Sequence, residues 1–284
     1  MKRHLAGITA FFIAVLGYGL FFVGQERAFE QDYPRLKAVP SAQMMQVFTG
    51  YGRQLMAEVS FVQSAVFLGG LPAGVDQATY LPALAHNYKV IAQLNPKFID
   101  TYYYTQSFLA GFDEASTEAA NDILAIGRSA YPESPLYPFF QAFNLFSYLQ
   151  RPDEAAAIFF EASRIPNAPP GFAHMAVLLK AEGGELEASL YSLQVLMRAT
   201  EDPHRRELYG KEIAMFRQAL EVQKAVGAFV VRNQRYPHTL NELVPLYLPT
   251  LPDFGDSFDL TWNAPNVGLK RPRLQGSEGM RSSR

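Results

Sequence analysis

Four prolines, spaced almost evenly along the middle of the chain, constrain its fold more than any other feature. Pro96, Pro132, Pro166 and Pro203 follow one another at steps of 36, 34 and 37 residues. Each closes a segment of apolar and alanine residues, and proline ends a helix because it lacks a backbone N–H and clashes with the preceding turn. The spacing therefore predicts a repeated helix-turn-helix unit between Phe98 and Pro203, in which each unit buries its apolar face against the next.

The order of large and small residues inside these units resembles the tetratricopeptide-repeat (TPR) family. Second helices of that family carry small, large and small residues at fixed intervals, as do Ala120-x3-Leu124-x2-Gly127 and Ala155-x3-Phe159-x2-Ala162. The first-helix pattern is present in Phe139-x2-Ala142-Phe143-x2-Phe146 and in Phe172-x2-Met175-Ala176-x2-Leu179. The resemblance implies an all-α, helical-hairpin repeat solenoid that acts as a scaffold by binding peptides or domains of other proteins.

Helical periodicity and turn residues organise the rest of the chain around these repeats. We expect a transmembrane anchor (1–23), a spacer (24–40), TPR-like helical repeats (41–203), a capping helix (204–233), a small irregular C-terminal segment (234–269) and a disordered basic tail (270–284). Among the helices, the pattern predicts Glu114–Ala130, Leu186–Ala199 and Glu207–Asn233, and it predicts one strand over Phe258–Trp262.

The N-terminus predicts a membrane anchor. Leu5 to Val23 is a run of 19 uncharged residues, and a helix of that length can cross a hydrocarbon core of about 30 Å. Lys2 and Arg3 precede the run, so the N-terminus is expected in the cytoplasm of a bacterium and the body in the periplasm. The alternative is a cleaved signal peptide, but no Ala-x-Ala-like site follows Val23.

The segment Val222 to Asn263 is similar to the C-terminal part of type II secretion pseudopilins. The resemblance is carried by a helix followed by Tyr236-Pro237, Leu240-x2-Leu243, Leu251-Pro-Asp-Phe-Gly255 and an aromatic strand. In those proteins the segment follows an N-terminal methylated helix, an arrangement that this sequence does not share, so the resemblance implies only the local structure and a setting in the bacterial envelope. Thr239-x-x-Glu242 additionally predicts a capping box that opens a short helix.

The composition argues against reaction chemistry and against nucleic acid. The chain has no cysteine, and its five histidines form neither a His-x3-His nor a His-Glu-x2-His pattern, so we expect no metal site. The net charge of −2 includes the basic tail, so the body itself is acidic and unsuited to phosphate backbones. No glycine-rich phosphate loop or catalytic motif is present. We therefore expect no enzyme, no cofactor and no small-molecule substrate.

The TPR resemblance also implies where a partner would bind. In that family the inner groove is lined by first-helix positions that packing does not use. With Tyr102, Phe139 and Phe172 as the large first positions, the groove residues are Asp100, Tyr103, Ser107, Tyr137, Phe140, Asn144, Ser147, Val177 and Lys180. Phe140 could equally be a core residue, because its helix is so apolar.

The expected partner is another envelope or membrane protein, one that belongs for example to a secretion or pilus machine. The sequence leaves one alternative open. The chain could instead be an accessory structural subunit of an inner-membrane complex, packed there through its transmembrane helix.

Overall fold

The computed structural model describes residues 17–19, 36–71 and 74–272. Most of the expected anchor, the spacer as far as residue 35 and the tail from residue 273 lie outside these ranges. Among the residues that are described, no helix is both long enough and apolar enough to cross a membrane.

The described chain is predominantly α-helical, with a single small sheet, which confirms the expected all-α character. In chain order the helices are α1 (Ala42–Thr49), α2 (Arg53–Gly69), α3 (Leu81–Leu94), α4 (Ile99–Phe108), α5 (Glu114–Ala130), α6 (Leu136–Ser147), α7 (Pro152–Ala162), α8 (Gly171–Glu182), α9 (Leu186–Ala199) and α10 (Pro203–Asn233). Short 3-10 helices cover Gly50–Gly52, Gln77–Thr79 and Leu240–Leu243. The strands are β1 (Asp259–Asn263) and β2 (Asn266–Lys270).

Local capping explains where several of these elements begin. The expected bounds of α5 and α9 are confirmed, but α10 begins at Pro203 rather than at Glu207. Asp202 moves this start upstream because its carboxylate accepts a hydrogen bond from the backbone N–H of His204 at 2.9 Å. Proline at the next position loses only a donor that would have no helical partner. The capping box at Thr239 and Glu242 is confirmed.

The chain forms two compact units that divide after Ala130. In unit 1, α3 packs against both α2 and α5. Large side chains are fully buried in its core, namely Leu84, Tyr88, Ile91, Ile123 and Leu124.

The end of the expected spacer is bound to unit 1 rather than free. The side-chain amide of Asn87 on α3 accepts from the backbone N–H of Val39 at 2.8 Å and donates to the carbonyl of Lys37 at 3.0 Å. The ring of His86 adds a hydrogen bond to the carbonyl of Val39 at 2.9 Å. The chain is therefore fixed on α3 immediately before α1 begins.

Unit 2 has two hydrophobic cores that share one helix. Phe172, Ala176 and Leu179 of α8 belong to a core with α6 and α7. Val177 and Leu178, on another face of α8, belong to a second core with α9, α10 and the C-terminal segment. α8 is consequently buried on both sides.

The C-terminal segment is part of this second core. β1 and β2 form an antiparallel hairpin in which Asp259 pairs with Lys270 and Asn263 pairs with Asn266. The sequence predicted a strand close to β1 but not its partner β2. The side chains that this segment buries in the second core are those of Leu243, Phe254, Phe258, Val267 and Leu269.

The fold also continues past the expected start of the basic tail. Lys270 lies in β2, and its ammonium group is 2.7 Å from Glu182 on α8. The guanidinium group of Arg271 is 2.5 Å from Glu212 on α10. These two cations are held by acidic partners, so the folded segment extends beyond residue 269.

Candidate functional site

The three predicted groove residues of α4 lie on the surface of unit 1. Asp100, Tyr103 and Ser107 are exposed, with 47% of the Tyr103 side chain accessible. Residues three and four positions apart lie on the same side of a helix, so these residues form one face. Ile99, which the sequence did not single out, is also exposed beside them.

The predicted groove residues of α6 are mostly inaccessible. Tyr137 is 2% exposed and Asn144 is 0% exposed, whereas Phe140 and Ser147 are half-buried. Phe139 and Phe143, which the sequence pattern assigned to packing, are more exposed than Tyr137 and Asn144. The expectation that Tyr137 and Asn144 line an open groove is therefore corrected.

α6 is buried on two faces, whereas packing within one helical hairpin would bury only one. Phe139 does pack as expected, with its ring stacked on Phe172 of α8 at 5.9 Å and edge-on to Phe159 of α7 at 6.2 Å. Tyr137 and Asn144 lie on a different face, and that face is buried as well. A single-sequence pattern fixes only the first of these faces.

The two predicted groove residues of α8 do not form an accessible pair either. Val177 is buried in the core with α9 and α10. Lys180 is half-buried, and its ammonium group is 2.9 Å from Glu185 in the turn that follows α8. Of the nine predicted residues, Asp100, Tyr103 and Ser107 are therefore the three that are exposed together on one helix.

An exposed apolar surface that the groove prediction missed runs along α1 and α2. We name it the Met44–Val66 stripe; its residues are Met44, Val47, Tyr51, Leu55, Val59, Val62 and Val66. Steps of three or four residues, which is helical spacing, separate its members within α1 and within α2. Tyr51 lies in the 3-10 helix between them. The same spacing is visible in the sequence, but spacing alone does not tell an exposed helix face from a buried one.

A polar cleft of about 420 Å³ lies in unit 2 between the turns that flank α7 and α8 and the β hairpin. Its walls include Asp153, Glu182, Thr261, Asn266 and Lys270. Glu182 and Lys270 pair with each other across it. That pairing uses two of the charges that a ligand would otherwise meet.

Glycines allow the backbone segments at this cleft to approach closely. A Cβ atom on Gly268 would lie 2.7 Å from the carbonyl oxygen of Glu182 and 2.5 Å from Oγ1 of Thr261. Gly184 has a φ of +94°, and its Cβ would lie 2.6 Å from that of Asn266. The hairpin thus packs directly on the end of α8, and the cleft lies along this packing boundary.

Unit 2 contains a buried carboxylate, that of Glu212 on α10. It hydrogen-bonds to the His174 ring at 2.6 Å and to the Arg271 guanidinium group at 2.5 Å. Tyr209 packs edge-on against His174 at 4.9 Å. Burial raises the pKa of Tyr209, and the nearby Glu212 carboxylate raises it further, although the charge of Arg205 lowers it. The cluster connects α8, α10 and the residue after β2.

Within the described ranges, no group of three or more histidine, aspartate or glutamate side chains could hold a metal ion. No protein-family model matches this sequence, and neither the curated proteins nor the solved structures include one that is significantly similar to it. The site must therefore be interpreted from its own chemistry.

Proposed function

We propose that this chain is a membrane-anchored, TPR-like scaffold of the bacterial envelope, and that its periplasmic body binds another envelope protein. The repeat spacing of the prolines and the TPR-like order of large and small residues support the scaffold role. The uncharged run Leu5–Val23, with Lys2 and Arg3 before it, supports the anchor and its orientation.

The observation that carries this proposal is the exposed face of α4. It combines an aromatic and an aliphatic side chain, Tyr103 and Ile99, with a carboxylate and a hydroxyl, Asp100 and Ser107. Tyrosine offers a large contact area and a polar tip, and it is enriched among the residues that dominate binding energy at interfaces. A partner segment that covers Tyr103 and hydrogen-bonds to its neighbours would suit this face.

Co-purification from native membranes tests the scaffold role. The double variant Tyr103→Ala, Ser107→Arg should lose an envelope protein that copurifies with the full chain, because it removes the aromatic contact and adds bulk and charge. Tyr191→Ala is the matched control, since Tyr191 is a highly exposed tyrosine on α9. Equal recovery of the partner with both variants would move the binding surface away from α4.

The anchored, periplasmic arrangement has a separate test. A reporter that is active only in the cytoplasm, fused after Arg284, should give no activity, because the body is proposed to lie on the other side of the membrane. Strong activity would reverse the proposed orientation. Release of the chain from washed membranes by high salt alone would contradict the anchor.

A further inference from the structure

We propose that the Met44–Val66 stripe is the surface through which two copies of this chain associate, with the α2 helices parallel and in register. This inference concerns unit 1 alone and does not depend on the α4 face. It would make the protein a symmetric dimer.

The spacing of the stripe within α2 is that of a coiled-coil seam. Leu55, Val59, Val62 and Val66 are separated by four, three and four residues, which places Val59 and Val66 at a positions and Leu55 and Val62 at d positions. In parallel coiled coils, β-branched residues at a with leucine at d favour two strands; both a positions here are valine, and one of the two d positions, Leu55, is leucine. A second copy presents the same seam, so the surface is self-complementary.

The exposure of α2 is centred on this seam. The four seam side chains are between 39% (Val59) and 63% (Leu55) exposed. The opposite side of the helix is occupied, because Ala57, Ser60 and Ser64 are buried. The residues at the flanking e and g positions, Met56, Glu58, Gln63 and Ala65, are exposed or half-buried, which leaves room for a second helix alongside.

The charges of this region permit the pairing. Between Lys37 and Asp76 the only charged residues are Arg53 and Glu58. A parallel register brings each g position next to the following e position of the other helix, so Glu58 meets Gln63 of the second copy. That contact joins a carboxylate to an amide donor, and no two like charges face each other across the seam.

The helix that carries the seam is already formed and held. α2 packs along α3, where Phe61 lies 6.5 Å from Tyr88, and Phe61 also packs edge-on against Phe98 at 4.9 Å. An isolated helix of two heptads would be only marginally stable in water. Here the helix is already formed in the folded unit, so association does not have to order it. The four exposed apolar side chains of the seam are otherwise left in contact with water.

Cysteine cross-linking of the full chain in its native membranes tests the inference. The natural sequence has no cysteine, so each variant carries a single thiol. In a parallel, in-register pair, residues at a and d meet their own counterparts, so Leu55→Cys, Val59→Cys, Val62→Cys and Val66→Cys should each form a disulfide-linked dimer on mild oxidation. Gln54→Cys, exposed on the same helix but off the seam, and Tyr191→Cys on α9 should remain monomeric.

The pattern of cross-links decides between the possible occupants of the stripe. Disulfides confined to Val59→Cys and Val62→Cys would overturn the parallel register in favour of an antiparallel one. Failure of all four seam thiols to cross-link, together with their labelling by a lipid-soluble maleimide, would overturn the dimer and assign the stripe to the bilayer surface. Cross-links to a different protein would overturn it in favour of a heterologous partner.

A charge-reversal pair provides a second measurement that does not depend on oxidation. Val62→Lys and Val62→Glu should each reduce the native mass from two chains to one, with helicity unchanged, and mixing them should restore a mixed dimer. Val195→Lys is the control, because Val195 is comparably exposed on α9. A parent chain with the mass of one copy would overturn the proposal.

Discussion

The ring nitrogen Nε2 of His174 lies 2.6 Å from Oε2 of Glu212, and this contact joins α8 to α10 inside unit 2. The Glu212 side chain is only 3% exposed, so neighbouring protein groups take the place of water around it. Arg271 occupies the other carboxylate oxygen. A buried carboxylate that loses a partner keeps its desolvation cost, which makes this cluster sensitive to substitution.

We expect His174→Ala to lower the free energy of unfolding by about 2–3 kcal/mol, because a hydrogen bond to a buried charged group is among the stronger ones. Lys180→Ala on the same helix is the control. Its partner Glu185 is half exposed, and exposed ion pairs contribute about 0–1 kcal/mol. Denaturant unfolding of the two variants gives the comparison, and equal midpoints would show that the Glu212 cluster does not stabilise unit 2.

Gly268→Ala and Gly210→Ala should change stability in opposite directions. A Cβ at Gly268 would clash with the carbonyl oxygen of Glu182 in α8, so this alanine should cost about 1–3 kcal/mol through overpacking. Gly210 lies within α10, where no described atom is within 4 Å of an added Cβ. Alanine there should stabilise the helix by about 0.5–1 kcal/mol, since glycine loses more backbone entropy on folding.

Thermal unfolding of both glycine variants is sufficient to test this pair of predictions. Gly268→Ala should melt earlier than the parent chain and Gly210→Ala later. If Gly268→Ala melted with the parent, the hairpin would not pack on the end of α8 as described.

Much of the helical framework could be predicted from the sequence because its signals are local. Prolines and glycines mark the turns, and the bounds of α5 follow from residues within a few positions of each end. The capping box at Thr239 is equally local. α10 starts at Pro203 rather than at the predicted Glu207, because its cap, Asp202, lies upstream of the apolar periodicity that predicts the helix.

The candidate site was less predictable because burial depends on residues distant in sequence. Tyr137 and Asn144 fit the groove positions of a TPR-like helix, yet both are buried on a second face of α6. β2 was missed because Asn266–Lys270 is short and gains its apolar environment from α8 and α10. The stripe through Val59 was visible as periodicity, but periodicity alone does not tell a core face from an exposed one.

Two buried tyrosines in unit 1 allow a matched test of how much a hydrogen bond to a buried hydroxyl contributes to stability. The Tyr88 hydroxyl has no hydrogen-bond partner among the described residues, whereas that of Tyr102 donates to the carbonyl of Pro96 at 2.7 Å. Burial raises the pKa of Tyr88, and the nearby Tyr104 raises it further, so its phenol stays neutral.

Tyr88→Phe should therefore leave stability unchanged or raise it by about 1 kcal/mol, because it removes a desolvated polar group that gains nothing in return. Tyr102→Phe should lower stability by about 1 kcal/mol through the lost hydrogen bond. Chemical denaturation of both variants checks the difference. A clear loss of stability in Tyr88→Phe would mean that its hydroxyl has a partner, such as a buried water molecule.

Site-specific photo-cross-linking in native membranes tests the scaffold role most directly. A photoreactive phenylalanine analogue at Tyr103 should give one discrete adduct with an envelope protein, and the same analogue at Tyr191 should not. Adding Asp100→Arg and Ser107→Arg to the Tyr103 probe should abolish the adduct, because both changes alter the α4 face itself. The same adducts from both positions, or an adduct at Tyr103 that survives the two arginines, would contradict binding through α4.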